Sequence, residues 1–107
     1  MGSSDPHLSI IVPTFNEALN IPVLAWLLDK HLSGTDESYE LIIVDDGSPD
    51  GTAEVSRKLG DRWPQLPLTV LSRPHKMGLG SAYMHGLLAA RGEFVLLLDA
   101  DLSHHPK

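Results

Sequence analysis

Four short apolar runs, at residues 8–12, 40–44, 66–71 and 94–98, divide this chain, and the segments between them carry apolar residues at helical spacing. Within the runs the apolar character is continuous rather than alternating, which is what a strand covered on both faces shows. Strands that alternate with helices need crossover connections and therefore lie parallel. The pattern predicts one parallel sheet of the form βαβαβαβ, an α/β fold.

Each connection has its own signals. In the first, Val23, Leu24, Leu27, Leu28 and Leu32 recur at helical spacing behind Asn20, a good N-cap, with Pro22 in the first turn where its missing N–H is harmless. In the second, Ser48-Pro49-Asp50 resembles a cap followed by a first-turn proline, and Ala53, Val55 and Leu59 lead to Gly60 as a stop. The third helix is expected from Gly80 to Ala90, with Ala82, Tyr83, Gly86, Leu87 and Ala90 on one side and Gly92 ending it.

At 107 residues there is room for one domain or one lobe. The reading is a flexible tail over residues 1–7 and a folded part over 8–107. Composition is that of a globular protein, 42% hydrophobic and 21% charged, with no apolar run of bilayer-spanning length. The opening Met-Gly-Ser-Ser-Asp-Pro-His lacks the basic start and apolar centre of a secretory signal. There is no cysteine, so disulfides and thiolate-metal sites are excluded. Fourteen acidic residues against eight Lys and Arg give a net charge of -6, which argues against nucleic acid as a partner. A phosphate ligand must be met locally, by a few cations such as Arg73 and Lys76 or by a metal that inverts the local sign.

A doubly wound sheet binds ligands beyond the carboxyl ends of its strands, near a reversal of strand order. Pro13-Thr14-Phe15-Asn16-Glu17 follows the first strand, Asp45-Asp46-Gly47-Ser48 the second and Asp99-Ala100-Asp101 the fourth, so three polar clusters share one edge. The basic loop Ser72-Arg73-Pro74-His75-Lys76 follows the third strand at that same edge.

Several familiar patterns fail on inspection. Asp46, Ser48, Asp50 and Gly51 match the first positions of a calcium loop, but its twelfth position is Arg57 rather than a bidentate Glu, and a strand precedes it. Gly78-Leu79-Gly80 begins like a dinucleotide fingerprint but has Tyr83 in place of the third glycine and follows the third strand rather than the first. His104 and His105 read as solvated surface, and His85, Trp26 and Trp63 as packing or surface residues. Asp45 and Asp46 point to opposite sides of their strand, so one is open to a structural role and the other to a ligand. Asp99 and Asp101 are the strongest local signal, because carboxylates so placed suit a hard divalent cation beside a phosphate.

Taken together, Ile11-Val12-Pro13-Thr14-Phe15-Asn16-Glu17, Ile43-Val44-Asp45-Asp46-Gly47-Ser48-Pro49-Asp50-Gly51-Thr52, Gly78-Leu79-Gly80-Ser81-Ala82-Tyr83-Met84-His85-Gly86 and Asp99-Ala100-Asp101-Leu102-Ser103-His104-His105-Pro106 resemble family 2 glycosyltransferases, and among them most nearly the dolichyl-phosphate mannosyltransferase branch. The resemblance implies a Rossmann-like GT-A fold of which the chain is the N-terminal, donor-binding half. It implies transfer of mannose from GDP-mannose to dolichyl phosphate, with inversion, at the cytosolic face of the endoplasmic reticulum, beside small membrane-anchoring subunits. Carried over by motif, Pro13, Phe15 and Glu17 line the nucleotide pocket, and Val44 and Asp46 contact the nucleoside. Asp99, Ala100 and Asp101 then meet the ribose and diphosphate. Asp101 is the implied catalytic residue and principal ligand of Mg2+ or Mn2+, with Ser103 standing where some relatives place a Gln metal ligand. Related donors such as UDP-glucose, or a non-catalytic nucleotide-binding module, fit the same fold. The family's catalytic domain continues past Lys107, so the chain reads as truncated and is expected to have little transfer activity alone.

Overall fold

The computed structural model describes residues 6–16, 18–32, 38–74 and 77–98. The elements run β1 (Leu8–Thr14), α1 (Ile21–Leu32), β2 (Tyr39–Asp45), α2 (Thr52–Arg62), β3 (Leu68–Ser72), α3 (Leu79–Ala89) and β4 (Phe94–Leu97). All strand pairs are parallel, in the order β3-β2-β1-β4. The expected βαβαβαβ sheet is therefore the one that forms. Packing starts before residue 8: Pro6 is buried, and the His7 N–H donates to the Ser38 carbonyl at 3.0 Å.

The in-register pairing of β1 with β2, from Leu8 opposite Tyr39 to Thr14 opposite Asp45, sends successive side chains to opposite faces. Ile10, Val12, Leu41 and Ile43 form one core with Ile21, Leu24 and Ala25 of α1, and Leu59 and Trp63 of α2 pack against it. Ile11, Ile42 and Val44 form the other with Ala82 of α3, Tyr83 and Ala89 beside it. Two helices thus cover one face and one helix the other. A chain that steps from β1 to β2 to β3 and then jumps back past β1 needs this division if every crossover keeps the same hand.

Space under α3 is tight. A Cβ on Gly86 would come within 2.6 Å of Ile11 Cγ2 and 3.1 Å of Val44 Cγ2, so glycine is what lets this helix settle onto the sheet.

Several expectations need correction. On α1, Ile21 and Ala25 face the core and Val23 is exposed. The second helix starts at Thr52, with Gly51 as its left-handed N-cap, and passes through Gly60 to Arg62. Ser48 does not cap it, because its hydroxyl donates to Asp45 Oδ1 and accepts from the Asn16 N–H. The third strand begins at Leu68; Leu66 instead fills the core from the preceding turn, where Pro67 offers its carbonyl to the Leu41 N–H at 2.7 Å. The fourth strand was expected to be covered on both faces, yet Phe94, Val95, Leu96 and Leu97 are 57, 39, 45 and 43% exposed. Among the described residues β4 is an edge paired only with β1, and α3 lies over β1 and β2 instead.

Candidate functional site

The reversal of strand order falls between β1 and β4, since β2 and β3 lie to one side of β1 and β4 to the other. Backbone chemistry opens the sheet there. The Ile11 carbonyl accepts from the Leu98 N–H at 2.9 Å, so Ile11 faces β4, and Pro13, two residues on, faces the same neighbour. Proline has no N–H to donate, so the β1–β4 ladder loses its next donor where a crevice is needed. The turn that follows is held in a special conformation. Asn16 has φ 57, a left-handed value that Asn tolerates better than most residues, and its N–H is fixed by Ser48 Oγ at 2.8 Å. Phe15, beside it, is half-buried.

The two carboxylates at the carboxyl end of β2 do lie on opposite sides, and both are taken by protein donors. Asp45, 2% exposed, accepts from Thr14 Oγ1 at 3.0 Å and from Ser48 through both its hydroxyl and its N–H. Asp46, 5% exposed, turns toward α3. Its Oδ1 accepts Arg73 Nε at 2.8 Å and pairs with Nη2 of the same guanidinium, while Oδ2 accepts the N–H groups of Met77 at 2.9 Å and Gly78 at 3.1 Å. Burial opposes ionisation of Asp46, but the Met77 amide, Arg73 and the Gly78 amide outweigh it and hold the carboxyl below its ordinary range.

Arg73 is 7% exposed and reaches on to Ser81 Oγ at 2.7 Å through Nη1 and to the Gly78 carbonyl at 3.3 Å through Nη2. Arg73, one of the cations offered by the sequence for meeting a phosphate, has its guanidinium bonded to Asp46 and the start of α3. The calcium-loop pattern dissolves in the same way, since Asp50 accepts from Ala18, from the Thr52 N–H and from the Thr52 hydroxyl.

Of the residues singled out by sequence, Pro13, Phe15, Val44 and Asp46 are thus brought to the carboxyl ends of β1 and β2. The Val44 side chain is 0% exposed against Ile11 and Ala82, so its contact with a ligand is limited to the main chain. Glu17, Lys76, Asp99, Ala100, Asp101 and Ser103 lie outside the described residues. Among the described residues no group of three or more His, Asp or Glu could hold a metal ion, and Asp45 and Asp46 are already satisfied. Sequence reasoning missed the Asp46–Arg73 pair as a unit, because 27 residues separate its members and only the sheet brings them together.

A parallel sheet with its polar strand ends gathered beside a switch point defines an α/β domain, and its solved neighbours place it among the GT-A glycosyltransferases. Residues 9–107 match the family model for glycosyl transferase family 2, and the chain belongs to that family. It is 38% identical over 94% of its length to a dolichol-phosphate mannosyltransferase of Pyrococcus furiosus, covering 27% of that protein. It is 35% identical over 89% of its length to a dolichyl-phosphate beta-glucosyltransferase of Dictyostelium discoideum, covering 31% of it. The chain therefore spans roughly a third or less of these relatives. A mannosyltransferase from Pyrobaculum calidifontis, solved with GDP-Man and Mn2+, superposes with a TM-score of 0.75 at 33% identity, over 92% of this chain and 28% of that one.

Proposed function

We propose that this chain is the donor-binding part of a glycosyltransferase that passes mannose from GDP-mannose to dolichyl phosphate, yielding dolichyl phosphate mannose for protein glycosylation and GPI-anchor synthesis. The observation that carries the reading is the reversal of strand order between β1 and β4, with the polar ends of β1 and β2 side by side at that edge. There Phe15 offers an aromatic face to the nucleotide, and the ends of β2 at Val44 and Asp46 border the base. Glu17, Asp99 and Ala100 complete the pocket around the ribose and diphosphate.

Asp101, with Ser103 beside it, is the proposed holder of Mg2+ or Mn2+. Such a cation offsets charge on a nucleoside-diphosphate leaving group. The acceptor phosphate is already anionic and needs little help from a base, so the work of this part is to grip and orient the donor. The proposal extends to a peripheral position on the cytosolic face of the endoplasmic reticulum, beside small membrane-anchoring subunits, and to inversion at the sugar carbon. No helix among the described residues is long and apolar enough to cross a membrane.

A second reading, the same fold using UDP-glucose, is favoured by the likeness to a dolichyl-phosphate beta-glucosyltransferase. Calorimetric titration with GDP-mannose, GDP and UDP-glucose, each with and without Mn2+, separates the two. The first reading predicts metal-dependent binding of GDP-mannose that Asp101→Ala abolishes; binding indifferent to both metal and Asp101 contradicts the site. Because the chain covers 27% of the mannosyltransferase relative, little transfer to a polyprenyl phosphate is expected from it alone, and ready turnover by the purified chain refutes that expectation.

A further inference from the structure

Phe15 can present its ring to a nucleotide only if the turn that carries it is held in one shape. We propose that Ser48, anchored by Asp45, is a positioning residue that sets Phe15: its hydroxyl relays between the buried Asp45 carboxylate and the Asn16 N–H. This inference rests on the donor-binding reading and gives Ser48 a role within that site.

Phe15 sits between two bonded peptide planes. The Thr14 carbonyl, in the plane before it, accepts the Asp46 N–H at 3.0 Å, and the Asn16 N–H, in the plane after it, donates to Ser48 Oγ at 2.8 Å. With both planes held, the φ and ψ of Phe15 follow, and with them the direction in which its side chain leaves the backbone. The partners Asn16 and Ser48 are 32 residues apart, and the same spacing recurs where the Ala18 N–H donates to Asp50 Oδ2 at 3.2 Å. Side chains after β2 thus take over from the β1–β2 ladder where backbone pairing stops.

The direction of each proton in the relay is forced. Asp45 is 2% exposed; its Oδ1 accepts from Thr14 Oγ1 at 3.0 Å and from Ser48 Oγ at 2.5 Å, while Oδ2 accepts the Ser48 N–H at 3.1 Å. A carboxylate only accepts, so Ser48 gives it the single hydroxyl proton and keeps its lone pairs for the Asn16 N–H. Gly47, at φ 76, makes the bend that aims the Asp46 N–H and Ser48 Oγ at the same short stretch of chain. Asn16, at φ 57, holds a conformation that costs an L residue energy and persists where surrounding bonds over-determine it. Without the Ser48 hydroxyl the Asn16 N–H loses its acceptor, Asp45 loses a donor, and the turn is free to relax and to swing Phe15.

The test compares the 107-residue chain with Ser48→Ala, Ser48→Cys, Ser48→Thr, Phe15→Ala and the Ser48→Ala/Phe15→Ala pair, measuring affinities for GDP and UDP in the presence of Mn2+. Because stacking on an aromatic ring tolerates any base, Ser48→Ala and Phe15→Ala should each weaken both nucleotides about tenfold, with the GDP to UDP ratio held within about twofold. A residue that acts through Phe15 is silent once Phe15 is gone, so the double variant should fall within about twofold of Phe15→Ala. Ser48→Thr keeps the hydroxyl and should stay within about threefold of the parent, whereas Ser48→Cys, whose thiol is a weak donor and acceptor, should behave like Ser48→Ala. A second readout needs no ligand. The chain has two phenylalanines, Phe15 and Phe94, so labelling with 4-fluorophenylalanine gives two fluorine lines. Ser48→Ala should shift or broaden the line that Phe15→Ala removes and leave that of Phe94 in place.

A double variant weaker than Phe15→Ala by about fivefold or more overturns the inference, because Ser48 then acts on the nucleotide by another route. So does a Ser48→Thr variant as weak as Ser48→Ala while the Phe15 line keeps its parent position. Unfolding of Ser48→Ala is recognised by movement of the Phe94 line as well, and Ser48→Cys then carries the comparison. If the parent chain binds neither nucleotide, the proposed function fails for this chain while the fluorine lines still decide on the relay: an unchanged Phe15 line in Ser48→Ala refutes it.

Discussion

β2 buries a carboxylate near each end, Glu40 at its amino end and Asp46 just past its carboxyl end, and each is satisfied by an arginine and by backbone N–H groups. Glu40 accepts from Ser9 Oγ at 2.5 Å, from the Arg91 N–H at 2.7 Å and from Arg91 Nε at 3.4 Å, just after α3 ends. Asp46 accepts from Arg73, Met77 and Gly78 just before α3 begins. The two carboxylates therefore clamp the two ends of one helix onto the sheet. They differ in their surroundings. At the amino edge Gly92 packs on Ser9, whereas at the carboxyl edge Pro13 has no N–H to offer β4. Similar chemistry stabilises both edges, and the proposed ligand site lies at the carboxyl one.

The largest effect expected comes from breaking the amino edge. A Cβ on Gly92 would lie 2.6 Å from Ser9 N and Oγ and 2.8 Å from Leu8 C, atoms of a central strand that cannot move aside. Gly92→Ala should cost about 3 kcal/mol, read as a fall in the urea midpoint. Next, Glu40→Ala strands the buried Ser9 hydroxyl and takes away the acceptor of the Arg91 N–H, and should cost about 2 kcal/mol, without changing the nucleotide affinity of the molecules that stay folded. That is the contrast with Asp46→Asn, which is expected to lower affinity as well as stability.

Acid should weaken both clamps. Burial alone would raise the pKa of each carboxyl, but hydrogen bonds from Ser9 and Arg91 at Glu40, and from Met77, Gly78 and Arg73 at Asp46, bring both below their ordinary values. A folded-state pKa below the unfolded one contributes stability that is present at neutral pH and is lost as pH falls through the folded value. Urea midpoints should therefore be level near pH 7 and drop below about pH 4, and Glu40→Gln should make that drop shallower. The smallest effect belongs to Leu88→Ser on the outer face of α3: with Leu88 86% exposed, stability should change by no more than about 0.5 kcal/mol.

Much of this architecture was legible in the chain. Continuous apolar runs gave the parallel strands, helical spacing gave the crossovers, and the polar residues after each run marked the carboxyl edge. What was not legible depends on contacts between distant segments. The second helix began late because Ser48, an ordinary cap by type, is claimed by Asp45 and Asn16. The exposure of β4 was hidden because an apolar run records what a strand requires to be covered, not what covers it. Arg73 read as a free cation because nothing local signals that Asp46, one helix and one strand earlier in the chain, neutralises it.

The most direct test of the account is the map of backbone amide shifts when GDP-mannose and Mg2+ are added to the 15N-labelled chain. The account predicts shifts concentrated at the carboxyl edge, at Thr14, Phe15, Asn16, Asp46 and Leu98, with Ser9, Glu40 and Gly92 unmoved. Shifts centred on Ser9, Glu40 and Gly92, or none at either edge, would contradict it.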